Sequence, residues 1–168
     1  EERLKNIVHA GTNAGNLPEA KRSKTEVVLL LDVIEHIEKP EDFLTEIMIA
    51  FPNANHFLVT VPACPELWSN YDEYNGHFRR YDMNMFTKFA KTTNMKAVWM
   101  QYLFHSLYLP AKILINRGRQ RNTNLKAPEG ISRQIHKLIS FCCYLDYKIL
   151  PGNAKGTSLL LYLNKEKI

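Results

Sequence analysis

The side chains best suited to chemistry near neutral pH fall in two short stretches of this sequence. In the first, Asp32, Glu35 and His36 follow one another at a spacing that can turn carboxylate and imidazole to one side of a loop. In the second, His77 precedes Arg79, Arg80 and Tyr81, with Trp68, Tyr71 and Asp72 just upstream. Imidazole exchanges protons around neutral pH, so His36 and His77 are candidate acceptors for a substrate proton. Guanidinium forks match carboxylates and phosphates, so Arg79 and Arg80 can hold an anionic group, or equally pin their own loop through Asp72 or Glu73. Trp68, Tyr71 and Tyr74 can wall a pocket or pack the loop down. The plainer readings are that Asp32 caps backbone amides at a strand end and that Glu35, His36 and His77 are solvated loop residues.

These residues need a scaffold, and the pattern supplies one. Val27 to Leu31 is an unbroken aliphatic run, as in a strand buried on both faces of a parallel sheet. Pro40, Glu41 and Asp42 suit a first helical turn, and Phe43, Leu44, Ile47, Met48 and Phe51 make one apolar face, so a helix is expected over 40–51. Pro52 and Asn53 break it, and His56 to Val61 supplies a second strand, completing a βαβ unit. Both reactive stretches then leave the carboxyl ends of strands, where open α/β sheets bind ligands. Residues 62–82 read as one long loop, which in a compact domain is usually functional. Further along, a helix is expected over 83–93, a strand over 96–104, a helix over 132–150 and a final strand over 157–164. A short strand at Asn6 to Gly11 is also expected.

The 168 residues are 45% hydrophobic and suffice for one domain. The formal charge of +5 permits an anionic partner, and Arg117, Arg119 and Arg121 cluster, but with no interleaved aromatics for nucleic-acid stacking. Cys64, Cys142 and Cys143 lack C-x-x-C spacing and fit a reducing, cytoplasmic setting. The longest apolar stretch, Tyr102 to Ile115, is interrupted by His105, Pro110 and Lys112, so no transmembrane helix is expected. Ile135, Leu138, Ile139, Cys142, Leu145 and Ile149 recur at helical spacing, and packing of this stripe on the sheet is expected over seating in a membrane interface.

The run Leu31-Asp32-Val33-Ile34-Glu35-His36-Ile37, followed by Pro40 and a helix, resembles the fourth strand and following loop of class I S-adenosylmethionine-dependent methyltransferases, notably those of the ubiquinone-biosynthesis type. Val61-Pro62-Ala63, Leu67-Trp68-Ser69, Tyr71-Asp72-Glu73 and Gly76-His77-Phe78-Arg79-Arg80-Tyr81 resemble a subgroup of largely uncharacterised bacterial and archaeal methyltransferases. The likeness covers roughly residues 6–110 and the last strand, leaving 111–150 as a helical insert within one partial methyltransferase domain over 1–168. It implies an α/β, Rossmann-like sheet, mostly parallel, with an antiparallel last strand paired with the 96–104 strand.

The family pattern places a Gly-rich turn and an acidic ribose-binding residue upstream of these motifs, and neither is in this chain. Gly11-Thr12-Asn13-Ala14-Gly15 is no substitute and is read as the loop after the family's third strand. The first two strands are therefore expected to be missing, with most of the S-adenosylmethionine pocket upstream of Glu1 and the Val27 to Leu31 strand left with an unpaired apolar edge. Pro52-Asn53-Ala54-Asn55 stands where relatives have a Pro-Gly-Gly turn.

The resemblance implies that Asp32, Val33 and His36 border the cofactor. Trp68, Tyr71, Asp72, Arg79, Arg80 and Tyr81 would cover a small-molecule substrate, anionic if the arginines face it, and His77 or His36 would take a hydroxyl proton. Two other readings stand beside this O-methyltransferase. One is a non-catalytic remnant that binds a partner through its sheet edge. The other is a metal-assisted RNA 3′-end 2′-O-methyltransferase, because Asp32, Glu35, His36 and His77 also resemble the divalent-metal site of that family, an oxygen-plus-imidazole set suited to Mg²⁺, Mn²⁺ or Zn²⁺.

Overall fold

The computed structural model describes residues 14–121, 127 and 129–166. The strand expected at Asn6 to Gly11 lies outside them. Strand β1 (Val27–Leu31) is followed by a 3-10 turn, Ile34–His36, and helix α2 (Pro40–Ala50), with the short α1 (Glu19–Arg22) ahead of both. Pro40 occupies the first turn of α2, with Glu41 and Asp42 beside the helix's positive end, and Leu44 and Ile47 turn inward. The chain returns as β2 (His56–Pro62), parallel to β1 with Leu29 opposite Leu58.

The 62–82 stretch is more ordered than a plain loop. It holds a 3-10 turn, Pro65–Leu67, and a short helix α3 (Asn70–Tyr74). A capping box nucleates α3: the Ser69 hydroxyl accepts at the first turn, and Asp72 Oδ2 accepts the Ser69 backbone N–H at 2.9 Å. Helix α4 (Met83–Thr92), capped by Asp82, buries Phe86, Phe89 and Ala90 and leads into β3 (Met95–Leu103). Helices α5 (Tyr108–Asn116) and α6 (Gly130–Ile149) precede the last strand, β4 (Ser158–Lys165).

The sheet order is β1-β2-β4-β3. β4 enters between β2 and β3 and runs antiparallel to both, so β1, β2 and β3 share one direction. The expected pairing of the last strand with β3 is present, and β4 also pairs with β2. Period-2 alternation explains the seam: Phe57, Val59 and Val61 of β2 face Leu163, Leu161 and Leu159 of β4, all essentially inaccessible to solvent. Leu44, Ile47, Phe86 and Phe89 join the same core, so α2 and α4 cover this face.

Two expectations are corrected. β1 is not buried on both faces: Leu30 is buried, whereas Val27, Leu29 and Leu31 are each more than half exposed, because among the described residues no element covers that side. The stripe of α6 does not pack on the sheet either. Asp146 is that helix's only buried residue, and Ile131, Ile135, Leu138 and Ile149 are exposed. Within the 111–150 insert, α5 begins earlier than anticipated, at Tyr108, with Pro110 accepted in its first turn.

Candidate functional site

At the carboxyl ends of β1 and β2 the chain opens into a cleft of about 560 Å³. Asp32, Glu35, His36, Tyr71, His77 and Arg80 line one side, and Ala111, Leu114 and Ile115 of α5 line the other. The two reactive stretches meet because their backbones are stapled together. The Phe78 N–H donates to the Glu35 carbonyl at 2.8 Å, the Tyr81 hydroxyl to the Ile34 carbonyl at 3.3 Å, and an Arg79 guanidinium N–H to the Glu38 carbonyl. A bridge between Ala63 and Tyr81 closes the base of the 62–82 segment.

Asp72 organises the second stretch. Its Oδ1 accepts from Arg80 Nε at 2.8 Å and lies 3.0 Å from His77 Nδ1, and Arg80 also donates to the Ala63 carbonyl at 3.0 Å. Burial acts upward on this carboxyl, but the Arg80 hydrogen bond and charge, with the bonds from His77 and Ser69, hold it below the usual aspartate range. Asp72 is thus a carboxylate and accepts only, so His77 Nδ1 carries the proton and Nε2 is left as the basic nitrogen. The His36 ring meets the His77 ring edge-on, with centroids 4.7 Å apart.

Glu35 is the anomaly of the site. It is 0% exposed, and among the described residues neither carboxylate oxygen has a hydrogen-bond partner; His36 Nε2 lies 3.9 Å away. Burial pushes its carboxyl up to about 7, and the Asp32 charge adds to this. Donor atoms of Glu35, His36 and His77 lie within 4.8 Å of one another, a geometry able to hold a divalent ion. Asp32, expected as the first ligand of a set completed by His77, is not in that group. It sits in a left-handed conformation just past β1, where the Thr60 hydroxyl donates to its Oδ1 at 3.2 Å.

Of the residues expected to border the cofactor, Asp32 and His36 face the cleft, and Val33 packs against the core. Of those expected to cover substrate, Tyr71 and Arg80 line the cleft. Trp68, Asp72, Arg79 and Tyr81 do not, because each is engaged by the protein itself: Trp68 Nε1 donates to Glu73, Asp72 binds His77 and Arg80 within the second stretch, and Arg79 and Tyr81 tie the two stretches together. These four contact other residues of the chain and do not line that cleft.

Sequence reasoning missed the α5 wall and Arg121. The Arg121 guanidinium lies over the Tyr71 ring at 4.4 Å, and the Arg121 backbone N–H donates to Asn70 Oδ1 at 2.8 Å. Only the uninterrupted Ile113, Leu114 and Ile115 hinted that α5 had something to face. Tyr108 and Lys155 both donate to Glu66, fastening α5 and the approach to β4 to the Pro65–Leu67 turn.

No family model and no curated protein matches this chain. Among solved structures, it is similar to S-adenosylmethionine-dependent methyltransferases. One, from Archaeoglobus fulgidus, is 10% identical with a TM-score of 0.46, the match covering 92% of this chain and 66% of that one. A second, from Bacillus halodurans C-125 and assigned as a methyltransferase, is 13% identical with the same TM-score, the match covering 93% of this chain and 70% of that one. This chain thus spans about two thirds of the length of the first.

Proposed function

We propose that this chain is the acceptor-side part of an S-adenosylmethionine-dependent methyltransferase that methylates a hydroxyl of a small molecule. The observation that carries this reading is His77, held 3.0 Å from the buried Asp72 and lining a cleft at the carboxyl ends of the strands. It is supported by the convergence of both methyltransferase-like motifs in that one cleft, and by a sheet in which an antiparallel last strand separates two strands of common direction.

Methyl transfer is an in-line displacement, so the protein has mainly to align a nucleophile and exclude water. S-adenosylmethionine, when bound, supplies the activated methyl group. Asp32 and His36 fit it in kind, as polar groups facing the cleft immediately after β1. His77 Nε2 takes the acceptor's proton as the oxygen attacks, and the Asp72 carboxylate stabilises the imidazolium that forms. Tyr71, under the Arg121 guanidinium, forms part of the acceptor wall, and Leu114 and Ile115 keep the opposite side apolar.

Titration calorimetry with S-adenosylmethionine tests the reading. Heat that is lost in Asp32→Ala supports it. A chain that takes up no cofactor, alone or within a longer natural protein, is instead a partner-binding remnant.

One observation favours a second reading, that of a metal-assisted methyltransferase acting on RNA 3′ ends. The orphaned Glu35 oxygens beside His36 and His77 would be satisfied by a divalent ion, which would raise the acidity of a nearby hydroxyl. That reading requires a bound ion by elemental analysis and steep salt dependence of RNA affinity.

A further inference from the structure

Helix α6 leaves most of its apolar stripe in solvent. One edge of the helix holds it to the body: Asp146, buried, accepts the Ser106 N–H at 2.7 Å, and Cys143 Sγ lies 3.7 Å from the Ser106 hydroxyl. Beyond that edge the stripe is open. Ile131, Ile135, Leu138, Leu145 and Ile149 repeat at three and four residues and so share one face. Ile131 is 78% exposed, Leu138 62% and Ile149 73%. On α5, Leu109 and Ile113 are exposed as well.

Charge collects in the same place. Between His105 and Leu150 the chain carries eight Lys and Arg against two acids, Glu129 and Asp146, a net +6, leaving fourteen basic and fifteen acidic residues elsewhere. The whole positive excess of the protein thus belongs to this segment. Asp146 is buried, so the exposed charged side chains of α6, Arg133, Lys137 and Lys148, are all cations. They lie beside the apolar stripe, and Lys112 on α5 adds to the field.

We propose that α6 seats on an anionic lipid bilayer, with the Ile131–Ile149 stripe in the acyl boundary and the flanking Arg133, Lys137 and Lys148 at the phosphate level. A second copy of the chain would explain the apolar stripe but not the exclusively cationic flank, which repels its own copy. Nucleic acid would explain the cations but leave the aliphatic stripe in water. A bilayer with anionic headgroups satisfies both. No helix among the described residues is long and apolar enough to cross a membrane, so the attachment is interfacial. Lys and Arg stems lie along the apolar surface while their charged ends reach the headgroups. The inference does not depend on the reaction carried out in the cleft.

The test is cosedimentation of the whole chain with vesicles of phosphatidylglycerol and phosphatidylcholine against vesicles of phosphatidylcholine alone. The expected result is at least about tenfold tighter binding to the anionic vesicles, weakening as salt is raised. Leu138→Glu, at an exposed position where folding is not at stake, and the pair Arg133→Glu with Lys137→Glu should each cut that binding by about tenfold or more. Ile49→Glu, at an equally exposed apolar position on α2, should leave it unchanged. Equal affinity for both vesicle types, or equal loss in Ile49→Glu, would overturn the proposal. So would a dimer in vesicle-free solution that Leu138→Glu dissolves, or RNA binding that competes with vesicles and is indifferent to Leu138→Glu.

Discussion

Asp72 Oδ1 stands 3.0 Å from His77 Nδ1 while holding Arg80 Nε at 2.8 Å, so one buried carboxylate sets both the tautomer of the candidate base and the position of a buried cation. Asp72→Asn disturbs both at once. It leaves the Arg80 charge without its counter-ion and should cost about 3 kcal/mol in chemical denaturation. A change under about 1 kcal/mol would show that the pair is not a keystone of the 62–82 segment.

His77→Ala separates chemistry from folding. In a protein competent for methyl transfer, turnover should fall by roughly a hundredfold or more while S-adenosylmethionine affinity stays nearly constant. Unchanged turnover removes His77 from the mechanism.

Ion binding at Glu35 has its own readout. If Glu35, His36 and His77 hold a divalent ion, Mn²⁺ or Zn²⁺ at about a hundred times its Kd should stabilise the chain by about 2.7 kcal/mol, reversibly with chelator. Glu35→Gln should remove most of that gain. Thermal melts unmoved by either ion would leave the cluster as plain protein.

The Glu66–Lys155 contact carries a pH signature. Burial acts upward on the Glu66 carboxyl, but hydrogen bonds from Lys155 and Tyr108 outweigh it and hold the group down at about 2, against an ordinary 4.5. A carboxyl depressed on folding adds stability that is complete above 4.5 and lost as pH falls through about 2. Both partners are substantially exposed, so the contribution stays within about 1 kcal/mol. Glu66→Gln should therefore melt slightly below the parent at neutral pH, and the gap should close toward pH 2. A gap that persists in acid would mean that packing, not charge, is responsible.

Gly156 tests the seam between β3 and β4. A Cβ there would lie 2.1 Å from the Leu103 carbonyl oxygen, which backbone pairing holds in place. Gly156→Ala should cost about 2 kcal/mol or more in urea unfolding. Full parental stability would show that the end of β3 can yield.

Local chemistry made much of this protein legible from its sequence. The aliphatic run of β1, the Pro40 start of α2 and the alternation in β2 and β4 each encode their element within a few neighbours, because backbone propensity and burial period act at short range. The convergence of Asp32, Glu35, His36 and His77 was readable too, since strands of common direction must release their loops at one rim. Even α3 had a written signal, Ser69 with Asp72 three residues on, that the reading of 62–82 as plain loop passed over.

What the residues alone left undecided were choices between partners distant in sequence. Asp72 and Arg80 could have faced a substrate or each other, and the path of 62–82 in space brings them to 2.8 Å while Arg80 still borders the cleft. The α6 stripe promised an apolar face without saying what it meets. The tertiary structure buries only Asp146 on that side of the helix, through its bond to Ser106, and leaves Ile131, Leu138 and Ile149 exposed. Periodicity defines a face, but where that face points depends on contacts made across the whole chain.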